Sequence, residues 1–252
     1  MINFCEEIIK QSIHLKKINF LFQTLIKKII YKKDLWEVYI NNEMYVRSQN
    51  LIISSSLLAH PRCYDILNIN YLPLRDAFVE GQDEIVDSLI RQTSQQEYIK
   101  RKNYILYVSN SQIVKEFNHQ YLQILFSKVI KDNCNFEKII FHRHLDGSMI
   151  IVLHCSYINK ISDFNIDYLI DTLKMIFIKH KKYRDLFKHV ELIDKINWRA
   201  SQPINNLVPK ELQWSSKSKI GFCGDWFDLD CCVGVESAMN SSIRLANIVS
   251  WK

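Results

Sequence analysis

The chain has 252 residues, with 33 Lys and Arg against 27 Asp and Glu and a formal charge of +6 at pH 7. Hydrophobic residues make up 48% and charged residues 24%, with only 5 Gly and 4 Pro, which excludes a disordered or collagen-like chain. The lysines are dispersed among Ile and Asn, so the positive balance reads as composition and not as a nucleic-acid surface.

The 7 Cys contain no C-x-x-C pair, which points to reduced thiols and a cytoplasmic protein. Cys231 and Cys232 are adjacent in a loop and read as small loop residues. Glu6 and Glu7 interrupt the amino terminus, so no signal peptide is expected there. No apolar run is long enough to span a bilayer, and no membrane partner is expected.

In chain order, residues 3–16 read as a helix, with Asn3 and Glu6 as a capping box. Residues 18–22 and 25–31 read as strand-like. Leu35–Ile40 and Glu43–Val46 form a predicted hairpin about Asn41-Asn42. Leu51–Ser54 is a short buried strand, and Leu57–Leu67 a helix. The texture changes after Pro73. Residues 83–95 read as helix, 103–109 as strand and 111–130 as helix with a break near Asn118.

Asp146-Gly147 between Phe136–His144 and Ser148–Tyr157 is the strongest short hairpin signal. Residues 165–180 are a helix with Ile166, Leu169, Ile170, Leu173, Ile176 and Phe177 inward, and 187–197 a returning strand. His142, His144, His154 and Cys155 invite a metal reading. A two-residue turn at Asp146-Gly147 sets His142 opposite Ile151 and His154 opposite Ile139, on different faces, so no metal site is expected. Ser54-Ser55-Ser56 lacks the glycines of a nucleophile elbow, which argues against a serine hydrolase.

The stretch richest in chemistry lies near the end. Ile220-Gly221-Phe222-Cys223 is an apolar strand that stops at Gly224-Asp225-Trp226. A helix opens after Gly234, with Val235, Ala238, Met239, Ser242, Leu245, Ala246 and Val249 on one predicted inner face. Such a strand, turn and helix directs backbone N–H groups and a helix dipole at an anion or polarised oxygen. Glu236 lies in the first turn, and Asp225 can accept hydrogen bonds from ligand hydroxyls.

Gly224-Asp225-Trp226 followed by Gly234-Val235-Glu236-Ser237-Ala238 resembles the carboxyl-terminal flavin-binding motif of FAD-dependent, amine-oxidase-type flavoproteins, in particular their renalase-like branch. Trp198-Arg199-Ala200-Ser201-Gln202-Pro203 is similar to a segment that precedes the motif in that branch. Ser237 and Ser242 stand where the family often has Gly. The resemblance implies an α/β fold: an incomplete FAD-binding, Rossmann-like domain with an inserted α+β substrate domain. It places residues 1–72 and 196–252 in the FAD domain and 73–195 in the insert.

The cofactor-binding residues it implies are Gly224, Asp225, Trp226, Gly234, Val235, Glu236 and Ala238, with Trp198 and Arg199 as a substrate or flavin wall. It implies FAD as cofactor, a small-molecule substrate and hydride transfer to the flavin. The 5 glycines nowhere form G-x-G-x-x-G, so the segment that cradles the ADP half is expected to be missing. A separate chain carrying that segment is the expected partner. The competing reading is a non-catalytic relic or an assembly subunit.

Overall fold

The structure is a computed structural model that describes residues 10, 18–109, 111–156, 165–205, 207–228 and 234–249, the side chains of 199, 200 and 228 excepted. The expected helix at 3–16 and the Cys231-Cys232 pair lie outside the described residues. The chain divides into two compact units, 1–95 with 208–231 and 235–252, and 96–207 with 232–234.

The first unit opens with an antiparallel meander of β1 (Lys28–Lys32), β2 (Leu35–Ile40) and β3 (Glu43–Ser48). Both connections are two-residue turns with positive φ, Lys33-Asp34 at 53 and 60° and Asn41-Asn42 at 49 and 69°. Turns of this hand match the right-handed twist of the strands, and Asn and Asp tolerate the left-handed region. Trp36 on β2 is fully buried and donates its indole N–H to the Ser218 carbonyl at 2.8 Å.

After β4 (Leu51–Ile53), the helix expected over 57–67 is broken into a 3-10 turn, Ser56–Ala59, and a short α1 (Cys63–Leu67). Pro61 explains the break, because the residue before a proline is driven to extended backbone, and His60 has φ −117 and ψ 136°. Next come α2 (Pro73–Asp76) and α3 (Glu84–Ser94). Leu74, Ala77, Phe78, Val86, Leu89 and Ile90 share one core with Ile29, Trp36, Ile220 and Phe222. This packing keeps residues 73–95 in the first unit, so the boundary falls at Gln96 and not at the texture change after Pro73.

The second unit contains β5 (Tyr98–Val108), α4 (Gln112–Lys115), β6 (Tyr121–Leu125), α5 (Lys128–Cys134), β7 (Phe136–Arg143), β8 (Met149–Ser156), α6 (Ile166–Ile176), α7 (Lys181–Leu186) and β9 (Glu191–Pro203). Its five strands form an antiparallel sheet in the order β6-β7-β8-β5-β9. Alternate residues, among them Tyr104, Leu106, Ile139, Phe141, Ile151 and Leu153, pack with Leu169, Leu173, Leu186 and Phe187 into one core. The helix expected over 111–130 is instead α4, β6 and the start of α5, because Tyr121–Leu125 pairs with β7. β9 continues to Pro203, which carries residues 196–203 into this unit.

The β7–β8 register differs by one residue from the sequence expectation. His142 faces Ile150 and His154 faces Lys138. The turn is wider than two residues: the His144 N–H donates to Ser148 O at 2.8 Å across Leu145-Asp146-Gly147, and Gly147 has φ 85°. His142 and His154 therefore share a face, but four residues apart along the hairpin, about 13 Å. Cys155 points into the core, where it is 1% exposed. Among the described residues no three His, Cys, Asp or Glu gather to hold a metal ion.

The chain then returns to the first unit. β10 (Val208–Pro209) pairs in parallel with β13 (Phe227–Asp228). β11 (Trp214–Ser215) is antiparallel to β12 (Ile220–Phe222), which runs parallel to β4. α8 (Val235–Ile248) follows. The fold is thus mixed α/β with several sheets. No helix among the described residues is long and apolar enough to cross a membrane.

Candidate functional site

The Gly224-Asp225 turn follows directly on β12. Cys223 N–H extends the parallel pairing by donating to Ile53 O at 3.0 Å. Gly224 then takes φ 140°, and a Cβ there would lie 2.2 Å from Trp226 Nε1 and 3.2 Å from Ser54 O. Backbone strain and steric overlap both restrict this position to glycine. The Gly224 N–H donates to Ser241 Oγ on α8 at 2.8 Å.

Asp225 is half-buried at this corner. Burial pushes its carboxyl above the usual carboxylate range, opposed by its own backbone N–H and by the Arg62 guanidinium. Arg62 Nη2 donates to Ser56 Oγ at 2.7 Å, which holds the cation beside the end of β4. A partly desolvated carboxylate at a strand's carboxyl end is a strong acceptor for ligand hydroxyls. Sequence reasoning missed Arg62 and Ser56, since a lone Arg after Pro61 carries no motif.

Trp226 is 2% exposed, donates its indole N–H to Cys223 O at 2.9 Å, and packs on Phe222 and Phe227. Its ring occupies the space beside Gly224, so its work is in the core. Gly234 has φ 110° with open space where a Cβ would stand, which leaves its backbone approachable. Val235 and Glu236 are exposed and Ala238 is half-buried.

The face α8 buries also differs from the expected one. Ser237, Ser241, Leu245 and Val249 are inward, whereas Val235, Met239, Ser242 and Ala246 are exposed. Hydrogen bonding decides the rotation. Gln213 Nε2 donates to Ser241 O at 3.1 Å and to Ser241 Oγ at 3.2 Å, and Gly224 N–H uses the same hydroxyl. A larger side chain at position 241 would leave these buried groups unpaired. The turn thus meets the helix in its second turn, at Ser241.

Trp198 and Arg199 lie in the second unit, on β9. Trp198 is 46% exposed, and the Arg199 side chain is outside the described residues. The Trp198 indole N–H donates to the Asn103 side-chain oxygen at 2.9 Å, while the Asn103 amide donates to His154 Nδ1 at 3.1 Å; these two bonds fix the amide's orientation. His154 falls to about 4, through burial first and then repulsion by Lys138 and Arg101. Arg101 bridges Glu137 at 2.7 Å and Gln202 Oε1 at 2.6 Å.

No family model matches the sequence, and a comparison with curated proteins finds no match. Solved structures do match. One is an oxidoreductase from Methanosarcina mazei, with TM-score 0.53 and 11% identity over 88% of this chain and 48% of that one. Another is a putrescine oxidase triple mutant made to redesign cofactor binding, with TM-score 0.54 and 12% identity over 95% of this chain and 51% of that one. Over the part covered, the chain shares the fold of these oxidoreductase structures. It spans about half the length of the solved structures it matches.

The residues present fit one end of a flavin cofactor. Asp225 offers a half-buried acceptor for a polyol. Among the described residues there is no glycine-rich loop to cradle a pyrophosphate.

Proposed function

We propose that this chain is the carboxyl-terminal portion of a FAD-dependent oxidoreductase of the amine-oxidase, renalase-like kind. In this reading the first unit is part of a Rossmann-like FAD domain and the second an α+β substrate domain. The observation that carries it is the half-buried Asp225 at the end of β12, on a glycine turn fastened to α8 through Ser241. Asp225 would accept hydrogen bonds from the cofactor's ribityl hydroxyls, and the Arg62 guanidinium opposes the burial that pushes that carboxyl up. The first residues of α8 would present N–H groups, and the positive end of a helix dipole, to the flavin ring. Bound FAD supplies the chemistry, accepting a hydride from a small-molecule substrate. The ADP half is held by a dinucleotide-binding segment outside these 252 residues.

The test is to purify the chain and record flavin absorption, alone and with a strand–G-x-G-x-x-G–helix segment supplied in trans. Colourless protein that turns yellow on complementation is the expected result. Flavin bound stoichiometrically by the chain alone overturns the need for the segment. Protein colourless in both arms overturns the flavin reading and leaves a non-catalytic relic or assembly role.

A further inference from the structure

A cleft of about 380 Å³ opens at one end of the second unit's sheet, lined by Lys115, Gln120, Arg143, His144, Leu145, Asp146 and Gly147. Its walls are fastened by backbone hydrogen bonds. Arg143 N–H donates to Gln120 O at 2.8 Å, and Gly147 N–H donates to His144 O at 3.1 Å. Asp146, the one acid of the lining among the described residues, accepts through Oδ1 from Ser148 N–H at 2.8 Å and from Ser148 Oγ at 2.7 Å, which holds it to its own turn. The cationic side chains have no such commitment. Neither Lys115 nor Arg143 forms a side-chain hydrogen bond or ion pair among the described residues, while Arg47, Arg75 and Arg101 each pair with a carboxylate.

We propose that this cleft binds the phosphate group of a small, non-aromatic phosphorylated molecule. The cleft's lining brings together a guanidinium (Arg143), an ammonium (Lys115), an imidazole (His144) and an amide (Gln120), the donors a phosphate needs. The volume suits a small molecule. Among the described residues Leu145 is the sole large apolar side chain of the lining and there is no aromatic platform besides the His144 imidazole, which disfavours a nucleobase. The site is independent of the flavin reading, because every residue in it belongs to the second unit.

The experiment is calorimetric titration of inorganic phosphate and of glycerol phosphate into the full chain at low salt, with succinate and a short DNA duplex as further arms. Both phosphates are expected to bind, and succinate and duplex to bind more weakly. Arg143→Gln and Lys115→Gln should each weaken phosphate binding roughly tenfold, and Arg91→Gln, a surface cation elsewhere, should leave it unchanged. Circular dichroism verifies that each variant is folded; should Arg143→Gln fail that check, Lys115→Gln alone decides. Equal loss in the Arg91 variant, undiminished binding in the cleft variants, preference for the duplex or succinate, or no binding at all would overturn the proposal.

Discussion

Ser241 Oγ on α8 accepts the Gly224 N–H at 2.8 Å, and this contact ties the turn after β12 to the helix face that Gln213 also holds. Ser241→Ala removes the acceptor and strands a buried N–H, at a cost of about 1–3 kcal/mol. Gly224→Ala is expected to cost more, because its Cβ meets the Trp226 ring at 2.2 Å as well as the positive φ. Urea unfolding of the two variants gives the ranking; a Gly224→Ala variant as stable as Ser241→Ala contradicts it.

Asp83 ties three elements together. Its Oδ1 accepts from Ile85 N–H at 3.1 Å and Val86 N–H at 3.3 Å, capping α3, and its Oδ2 accepts from Ser215 and Ser218 Oγ at 2.5 Å each. Asp83→Ala should destabilise the chain by about 2–4 kcal/mol, the loss of a cap plus two orphaned hydroxyls. The double variant Ser215→Ala/Ser218→Ala leaves the cap intact and should cost less. Chemical denaturation monitored for the first unit distinguishes them, and equal losses would show that the cap contributes nothing.

His154 makes the second unit sensitive to acid. Its pKa falls from 6.5 to about 4 on folding, chiefly through burial and then through Lys138 and Arg101, with Glu137 opposing. The folded chain therefore binds fewer protons than the unfolded chain between these values. The stabilisation is complete above pH 6.5 and is lost as pH falls toward 4. Denaturation midpoints measured from pH 7 down to pH 4.5 should drop less steeply in His154→Gln than in the parent chain. Identical slopes would mean that His154 does not titrate as described.

Much of this architecture was legible in local chemistry. Asn41-Asn42 announced its turn, Asp83 its helix start, and the apolar run ending at Gly224 both β12 and the helix that follows. Three features were not, each because a distant partner decided it. Tyr121–Leu125 became a strand because β7 offered an edge. The β7–β8 register slipped because the loop at Gly147 is three residues wide, a choice that Asp-Gly alone does not reveal. α8 turned its serines inward because Gln213 and Gly224 needed Ser241, and hydrophobic spacing is blind to such needs. Around the candidate site, Asp225 was readable from its motif, while Arg62 reached it only through folding.

The placement of the tryptophans gives each unit its own optical voice. Among the described residues Trp36, Trp214 and Trp226 lie in the first unit, Trp36 and Trp226 only 0% and 2% exposed, and Trp198, 46% exposed, is the second unit's sole indole. Intrinsic emission therefore follows melting of the first unit, with a red shift as two dry indoles reach water. The second unit can lose its sheet with little change in that signal, so far-ultraviolet dichroism is the probe that hears it. Coincident transitions by the two methods would show the units unfolding together, and separated ones would resolve a half-folded chain.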